Sequence, residues 1–519
     1  MNKIFENTFY NLLVIYIILV VLISLNLFWK YTLHFEIFAL ILGILGITLV
    51  LNIDKIEILK TLKDKINPSR KFMYLIMGIA VVLIFLFRVI PYFNNSIPLG
   101  YDAGIYKFGI ESFAEKVFGV DSWVKSALSP GFLYFFSALY KLGVSINFIL
   151  IWLFIGFNVL LGISIYLFSK EYFNKKAGII SLVLYAVSVI QFKVFAFMYY
   201  KNIIALSALL LALVFLKKEK RHLFMLFGVI VGIMHQPTFL IFGLAYMAFT
   251  IKNYKSWKKN VISGIIILII TGIFYIGFYK EAILPLIYPV ANSLISPGES
   301  PGTFLSFFTY QFLTLAYLPF AIIGLAYLTK KKQFNVLFFL AVITALIVYF
   351  QFFFFNRFII HLDVALIILA GAGFWILIEN KRIFGTVILT LMVLSAGFVT
   401  YHEAINTKPL ISDAGLKLIQ KLQTTEENSS VMVISKEYSP WVLAYSKRKT
   451  IAPGLFDENK WDEEEWQKFW SVTGEQETRE MLLIYHKPLY LFAGTKKFNN
   501  TCFSVYLEDS GEKIYKYEC

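Results

Sequence analysis

Long apolar runs separated by short polar links fill the first 400 residues of the chain. A bilayer takes about 20 apolar residues per helix, and on that ruler the runs divide into about 13 candidate spans. They cover residues 9–29, 34–52, 72–90, 147–168, 177–195, 202–216, 223–234, 238–250, 261–279, 308–328, 336–353, 358–377 and 383–400. The seventh and eighth are short for full crossings. They read either as one helix broken at His235-Gln-Pro-Thr238 or, as preferred here, as a pair meeting near the outer surface. The run 130–143 is also apolar but rich in Phe and Tyr, which suits an interfacial or re-entrant helix at headgroup level rather than a crossing. Beyond residue 400 the pattern changes: 411–422 and 461–470 have helical spacing, and 431–435, 489–492, 503–507 and 513–517 read as short strands. This divides the chain into an N-terminal hairpin with a basic loop (1–71), a transmembrane domain (72–400) with a polar outer loop (91–146), and a small α/β domain (401–519).

Composition agrees with the pattern. With 58% hydrophobic and 16% charged side chains, the class is a polytopic α-helical membrane protein. The net charge of +15 does not point to nucleic acid, because the lysines and arginines stand in short clusters at the ends of apolar runs. Each cluster (Lys55 to Lys71, Lys170 to Lys176, Lys217 to Arg221, Lys252 to Lys259, Lys330 to Lys332, Lys381 and Arg382) follows an even-numbered span. All of them, and the N-terminus, are therefore expected on the cytoplasmic side, with 91–130, His235, Arg357 and the C-terminal domain outside. Sequons at Asn94, Asn428 and Asn499 fall outside on the same scheme. No small-residue cleavage site follows the first apolar run, so that run is expected to be a retained helix. The two cysteines, Cys502 and Cys519, lie in the tail, where a disulfide forms only in an oxidising compartment.

Candidate chemistry gathers at the expected outer ends. Asp102, in Gly-Tyr-Asp102-Ala-Gly-Ile-Tyr106, opens a stretch in which Tyr106, Gly109 and Phe113 share a helical face, and it is either a helix cap or a base. Lys201 and Arg357 stand at the outer starts of two spans. Each can snorkel to headgroups, or the two together can hold a phosphate. His235 either satisfies broken backbone groups or bonds a phosphate or sugar hydroxyl. Asp363 and His361 lie within an apolar run, where structural pairing is the expected role, and Glu111 and Glu115 with Lys107 and Lys116 read as a solvated helix face. Lys447 and Arg448 add positive charge to the domain surface.

Several features together resemble the GT-C superfamily of integral-membrane glycosyltransferases, in particular prokaryotic relatives of protein mannosyltransferases and aminoarabinose transferases. They are the acid of Gly-Tyr-Asp102-Ala-Gly-Ile-Tyr, the proline-led aromatic run from Ser129, the late Arg357-Phe-Ile-Ile-His-Leu-Asp363 segment and the soluble C-terminal domain. The resemblance implies sugar transfer, with inversion, from a polyprenyl-phosphate donor to a lipid, glycan or protein acceptor at the outer membrane face. Asp102 would be the base or a ligand to a divalent cation, Mg or Mn, while Lys201 and Arg357 would hold phosphate and Tyr106 and His235 would contact substrate. Asp102 is followed by Ala103, without the second acid of many relatives, and the Trp-Trp-Asp-Tyr-Gly signature of oligosaccharyltransferases is absent. The competing readings are a lipid-linked sugar flippase or transporter and a catalytically inactive relative acting as a scaffold.

Overall fold

The computed structural model describes residues 16, 69–117, 119–284, 303–352, 355–453 and 459–519. The first two expected spans, their basic loop and most of the loop after Lys280 lie outside the described residues. The chain divides into two compact units, one built from residues up to 94, 154–276 and 284–407, the other from 95–153, 277–283 and 408–519. The outer loop therefore groups with the tail and not with the helices that flank it in sequence.

Apolar runs became helices throughout the described residues. Six are long and apolar enough to cross a membrane: Arg70–Tyr92, Phe148–Tyr172, Tyr200–Lys217, Tyr254–Tyr275, Phe355–Asn380 and Arg382–Asn406. The count rises to eight if two bent pairs are each one span, Lys175–Ala186 with Val189–Ala196 (53°) and Phe307–Thr314 with Leu318–Lys330 (73°). Arg221–Met234 and Val336–Tyr349 are apolar but shorter. Of the about 13 expected spans, two lie outside the described residues, so the described helices do not decide the count. The two bends have local causes: Ser188 caps the second half of one pair, and Pro319 sits in the first turn of the second half of the other.

In the first unit the Phe355–Asn380 helix is central, with 94% of its apolar window buried against 22% for Arg382–Asn406. Membrane helices gain little from burying apolar surface against one another, so close approach must come from small residues. Gly371 and Gly373 supply it. A methyl group on Gly371 would overlap Ser181 Oγ, one on Gly373 the Phe320 carbonyl, and one on Gly324 of the facing helix the Leu369 carbonyl. The contact is completed by Phe320 stacked on Phe374, ring centroids 3.7 Å apart.

In the second unit five strands form a mixed sheet in the order β2-β1-β3-β5-β4: β1 Ser430–Val433, β2 Lys449–Ile451, β3 Leu489–Gly494, β4 Phe503–Asp509 and β5 Glu512–Tyr517. β1 runs parallel to β2 and β3, while β5 is antiparallel to β3 and β4. Ser510 and Gly511, both at positive φ, close the two-residue β4–β5 hairpin as a primed turn demands. Four strands fall where short strands were read from the sequence, with β1 and β3 buried at every position; β2 is too short to signal itself. Trp461, Trp466, Phe469, Leu482 and Phe503 cover one face of the sheet, beside the Cys502–Cys519 disulfide. The Asp102–Glu115 helix lies against a second helix, Ser439–Ser446, and their separation is set by Gly104, where any Cβ would strike Pro440. The expected non-crossing run is a 12-residue helix, Pro130–Lys141, held to the Asp102–Glu115 helix by Ser137 Oγ donating to the Ile110 carbonyl at 2.9 Å.

Candidate active site

Asp102 is the first residue of its helix, half-buried, with Gly100 at φ 75° making the turn that precedes it. Only a residue without a Cβ takes that turn without strain. The N-cap is Tyr101, so Asp102 stands in the first turn, where the positive helix end favours its negative charge. Tyr106 is buried against Phe132, centroids 4.8 Å apart, and its hydroxyl donates to Asp102 Oδ2 at 3.4 Å, a long bond. Burial, reinforced by the Asp102 charge, raises the pKa of the Tyr101 phenol even though its hydrogen bond to Ser439 acts the other way. Tyr101 is therefore a neutral hydroxyl beside the acid at neutral pH.

The three expected cationic or imidazole groups belong to the other unit, and there they come together. Lys201 lies in the first turn of Tyr200–Lys217 and Arg357 in the first turn of Phe355–Asn380, both half-buried. Both charges, and His361, act electrostatically on the His235 ring. His235 itself caps the Gln236–Lys252 helix: its Nδ1 lies 2.8 Å from Thr238 Oγ1, which is in turn 2.8 Å from His361 Nε2. The backbone-satisfying reading of His235 thus describes its Nδ1 edge, and any substrate contact falls to Nε2. Close by, Asn356 donates from Nδ2 to Thr303 Oγ1 at 2.8 Å.

Asp363 pairs with neither histidine. Its carboxylate is fully buried and accepts from Gln191 Nε2 at 2.6 Å and from the Tyr317 hydroxyl, so it is a structural tie between the two bent pairs. Arg88 was not singled out by sequence. It is wholly buried, donating to Asn158 Oδ1 (3.0 Å) and the Ile84 carbonyl (3.2 Å) with its guanidinium 5.3 Å from the Tyr185 ring centroid. Its only signal in sequence was a charge inside the last turn of an apolar run. The expected solvated face around Glu111 is corrected: Lys107 is buried, paired with Glu111 at i, i+4 and lying 4.8 Å from the Tyr445 ring centroid. Arg448, expected as free surface charge, donates to the Gln423 and Thr425 carbonyls at 2.6 Å each.

Among the described residues no group of three or more His, Cys, Asp or Glu side chains is arranged to hold a metal ion. Asp102 and Tyr106 by themselves supply fewer oxygens than a divalent cation coordinates.

No protein-family model matches the sequence, and no curated protein is similar to it by sequence. Solved structures are similar in fold. The apo oligosaccharyltransferase of Archaeoglobus fulgidus superposes with a TM-score of 0.60 at 13% identity, over 82% of this chain and 70% of that one. The same organism's oligosaccharyltransferase AglB, in complex with an inhibitory peptide and a dolichol-phosphate, gives 0.59 at 12% identity over 82% and 69%. ArnT of Cupriavidus metallidurans in the apo state gives 0.57 at 12% identity over 86% and 98%. At these identities the likeness is one of fold alone: the chain has the architecture shared by these oligosaccharyltransferase and ArnT structures.

Proposed function

We propose that the protein is a membrane glycosyltransferase that moves a sugar from a polyprenyl-phosphate donor to a hydroxyl-bearing acceptor at the outer membrane face. The observation that carries this reading is that Lys201 and Arg357, each in the first turn of a membrane-length helix, both act on the His235 ring, which is tied through Thr238 to His361, a cationic setting suited to a lipid-linked phosphate. Two proteins of like fold support it, AglB in complex with a dolichol-phosphate and ArnT bound to undecaprenyl phosphate.

In this reading Asp102 accepts the proton of the acceptor hydroxyl as its oxygen forms the bond to the anomeric carbon. The bond from that carbon to the phosphate oxygen breaks, and its electron pair leaves on the phosphate, whose added charge Lys201 and Arg357 stabilise. One displacement inverts the anomeric centre. Tyr106 orients the Asp102 carboxylate, and His235 offers Nε2 to a phosphate or sugar oxygen. In the same reading the N-terminus and the basic loops that follow the even-numbered spans face the cytoplasm, which the positions of the lysine and arginine clusters support, and the disulfide-bonded tail suits an oxidising exterior. The domain boundaries proposed are 1–71, 72–400 and 401–519, with residues 95–153 packing in the same compact unit as the tail.

The test is transfer of labelled sugar from a panel of polyprenyl-phosphate donors by purified wild type and Asp102→Asn. Wild type is expected to transfer from at least one donor, and Asp102→Asn to lose about 100- to 10,000-fold in rate with unchanged thermal unfolding. Full activity in a folded Asp102→Asn protein would remove Asp102 as base. No transfer from any donor would return the reading to a transporter or scaffold.

A further inference from the structure

Two cavities outside the candidate active site differ in chemistry. One, about 490 Å³ between the helices Gln236–Lys252 and Trp257–Tyr275, is walled almost entirely by apolar side chains such as Phe242, Ile265 and Leu268, as a lipid-facing groove is. The other, about 430 Å³, lies within the second unit and is predominantly polar. Its walls are the C-terminal half of the Asp102–Glu115 helix, the helix Ser122–Ala127, and the end of Ser439–Ser446 with the start of β2.

Three kinds of side chain meet there. Phe108 and Trp123 are stacked, ring centroids 5.4 Å apart and planes 22° from parallel, and Tyr140 adds a third ring. Glu111, Glu115 and Asp121 supply carboxylates, and Lys447 and Lys449 supply ammonium groups. Glu111 is held in place by Lys107, itself seated over Tyr445. Glu115, Asp121, Lys447 and Lys449 are exposed, so the cavity opens at the surface.

The combination narrows the ligand. An apolar ligand would take the carboxylates and ammonium groups out of water and offer them nothing in return. A simple anion is disfavoured by three carboxylates and a metal ion by the absence of a ligating cluster among the described residues. A sugar chain answers all three features: its C–H faces lie on aromatic rings, and its hydroxyls donate to carboxylates and accept from ammonium groups.

We propose that this cleft is a second, non-catalytic saccharide-binding site, taking a sugar chain of several residues. The choice of ligand class draws on the transferase reading; the cleft and its chemistry do not. Glu111 lies more than two helical turns beyond Asp102, about 14 Å along the axis, so a single sugar at Asp102 does not reach it. The cleft holds a part of a glycan remote from the reacting unit.

The full-length protein in lipid nanodiscs is titrated with chitotriose, mannotriose and cellotriose by saturation-transfer NMR, as wild type and as Tyr140→Ala, Glu115→Lys and Asp102→Asn. At least one trisaccharide is expected to bind wild type and Asp102→Asn equally, and at least tenfold more weakly to both cleft variants, whose thermal unfolding matches wild type. Binding of none of the three, binding unaffected by the cleft variants, binding lost only in Asp102→Asn, or displacement of the sugar by a short basic peptide at lower concentration would each overturn the proposal. Donor-transfer assays on the same preparations separate the two readings. Transfer without cleft-dependent sugar binding removes the cleft alone, and cleft-dependent binding without transfer removes the transferase reading alone.

Discussion

Single side chains in this protein are governed by where their charge ends up, and sequence position was a fair guide only at helix ends. Asp102, Lys201 and Arg357 each occupy a first turn, as the polar interruptions in apolar runs suggested. Lys107 and Arg448 went the other way, because an ion pair under an aromatic ring and a pair of backbone carbonyls capture them in three dimensions. Glu426 illustrates how a surface residue can still couple to folding. Its own backbone amide, the Tyr490 hydroxyl at 2.9 Å and the charges of Lys516 and Arg448 lower its pKa below the ordinary 4.5. The folded state thus prefers the ionised form, so Glu426 stabilises above the ordinary glutamate range and loses that contribution as pH falls through its lowered value. Thermal unfolding followed from pH 6 down to pH 3 is expected to fall less steeply in Glu426→Gln than in wild type. Parallel curves would show that the hydrogen bond, and not the charge, is what the fold uses.

Helices and strands were legible as far as their periodicity was longer than their interruptions. The 26-residue central helix and the apolar strand β3 announce themselves, whereas a break of two or three residues inside an apolar run does not change its hydropathy. Two expected spans are for this reason bent pairs, and the groups freed at the breaks find partners from elsewhere. Thr400 Oγ1 donates to the Val187 carbonyl at 2.7 Å, and Asp363 accepts from Gln191 just past one break and from Tyr317 within the other. Asp363→Ala leaves an amide and a hydroxyl without their acceptor, at about 1–3 kcal/mol for each buried group. The expected outcome is a lower unfolding midpoint in detergent, with Asp363→Asn less affected because it keeps an acceptor oxygen. An unchanged midpoint in Asp363→Ala would mean that the bends hold without the tie.

At the scale of the whole molecule the decisive quantity is sidedness. All lysine and arginine clusters can be cytoplasmic together only if the Pro130–Lys141 helix does not cross, and at 12 residues it is too short to do so unaided. Single cysteines introduced at Lys331 and Lys421 test this in intact cells, the native pair being disulfide-bonded. A membrane-impermeant maleimide is expected to label Lys421→Cys at once and Lys331→Cys only after lysis. The reverse pattern would invert the topology and remove the outer-face reading with it.

Sequence alone determined that the chain is a membrane protein, where most of its helices lie, the α/β character of its tail and the short roster of polar residues near helix ends. These follow from hydropathy and spacing, which are local properties of a chain. Tertiary structure decided the bends, the burial of Arg88, Lys107 and Asp363, the grouping of Lys201, His235 and Arg357, and the cleft around Trp123. Those depend on which distant residues supply a missing hydrogen bond or a countercharge. In a low-dielectric interior an unpaired polar group costs more than any local preference returns, so the partner, found only on folding, fixes the role.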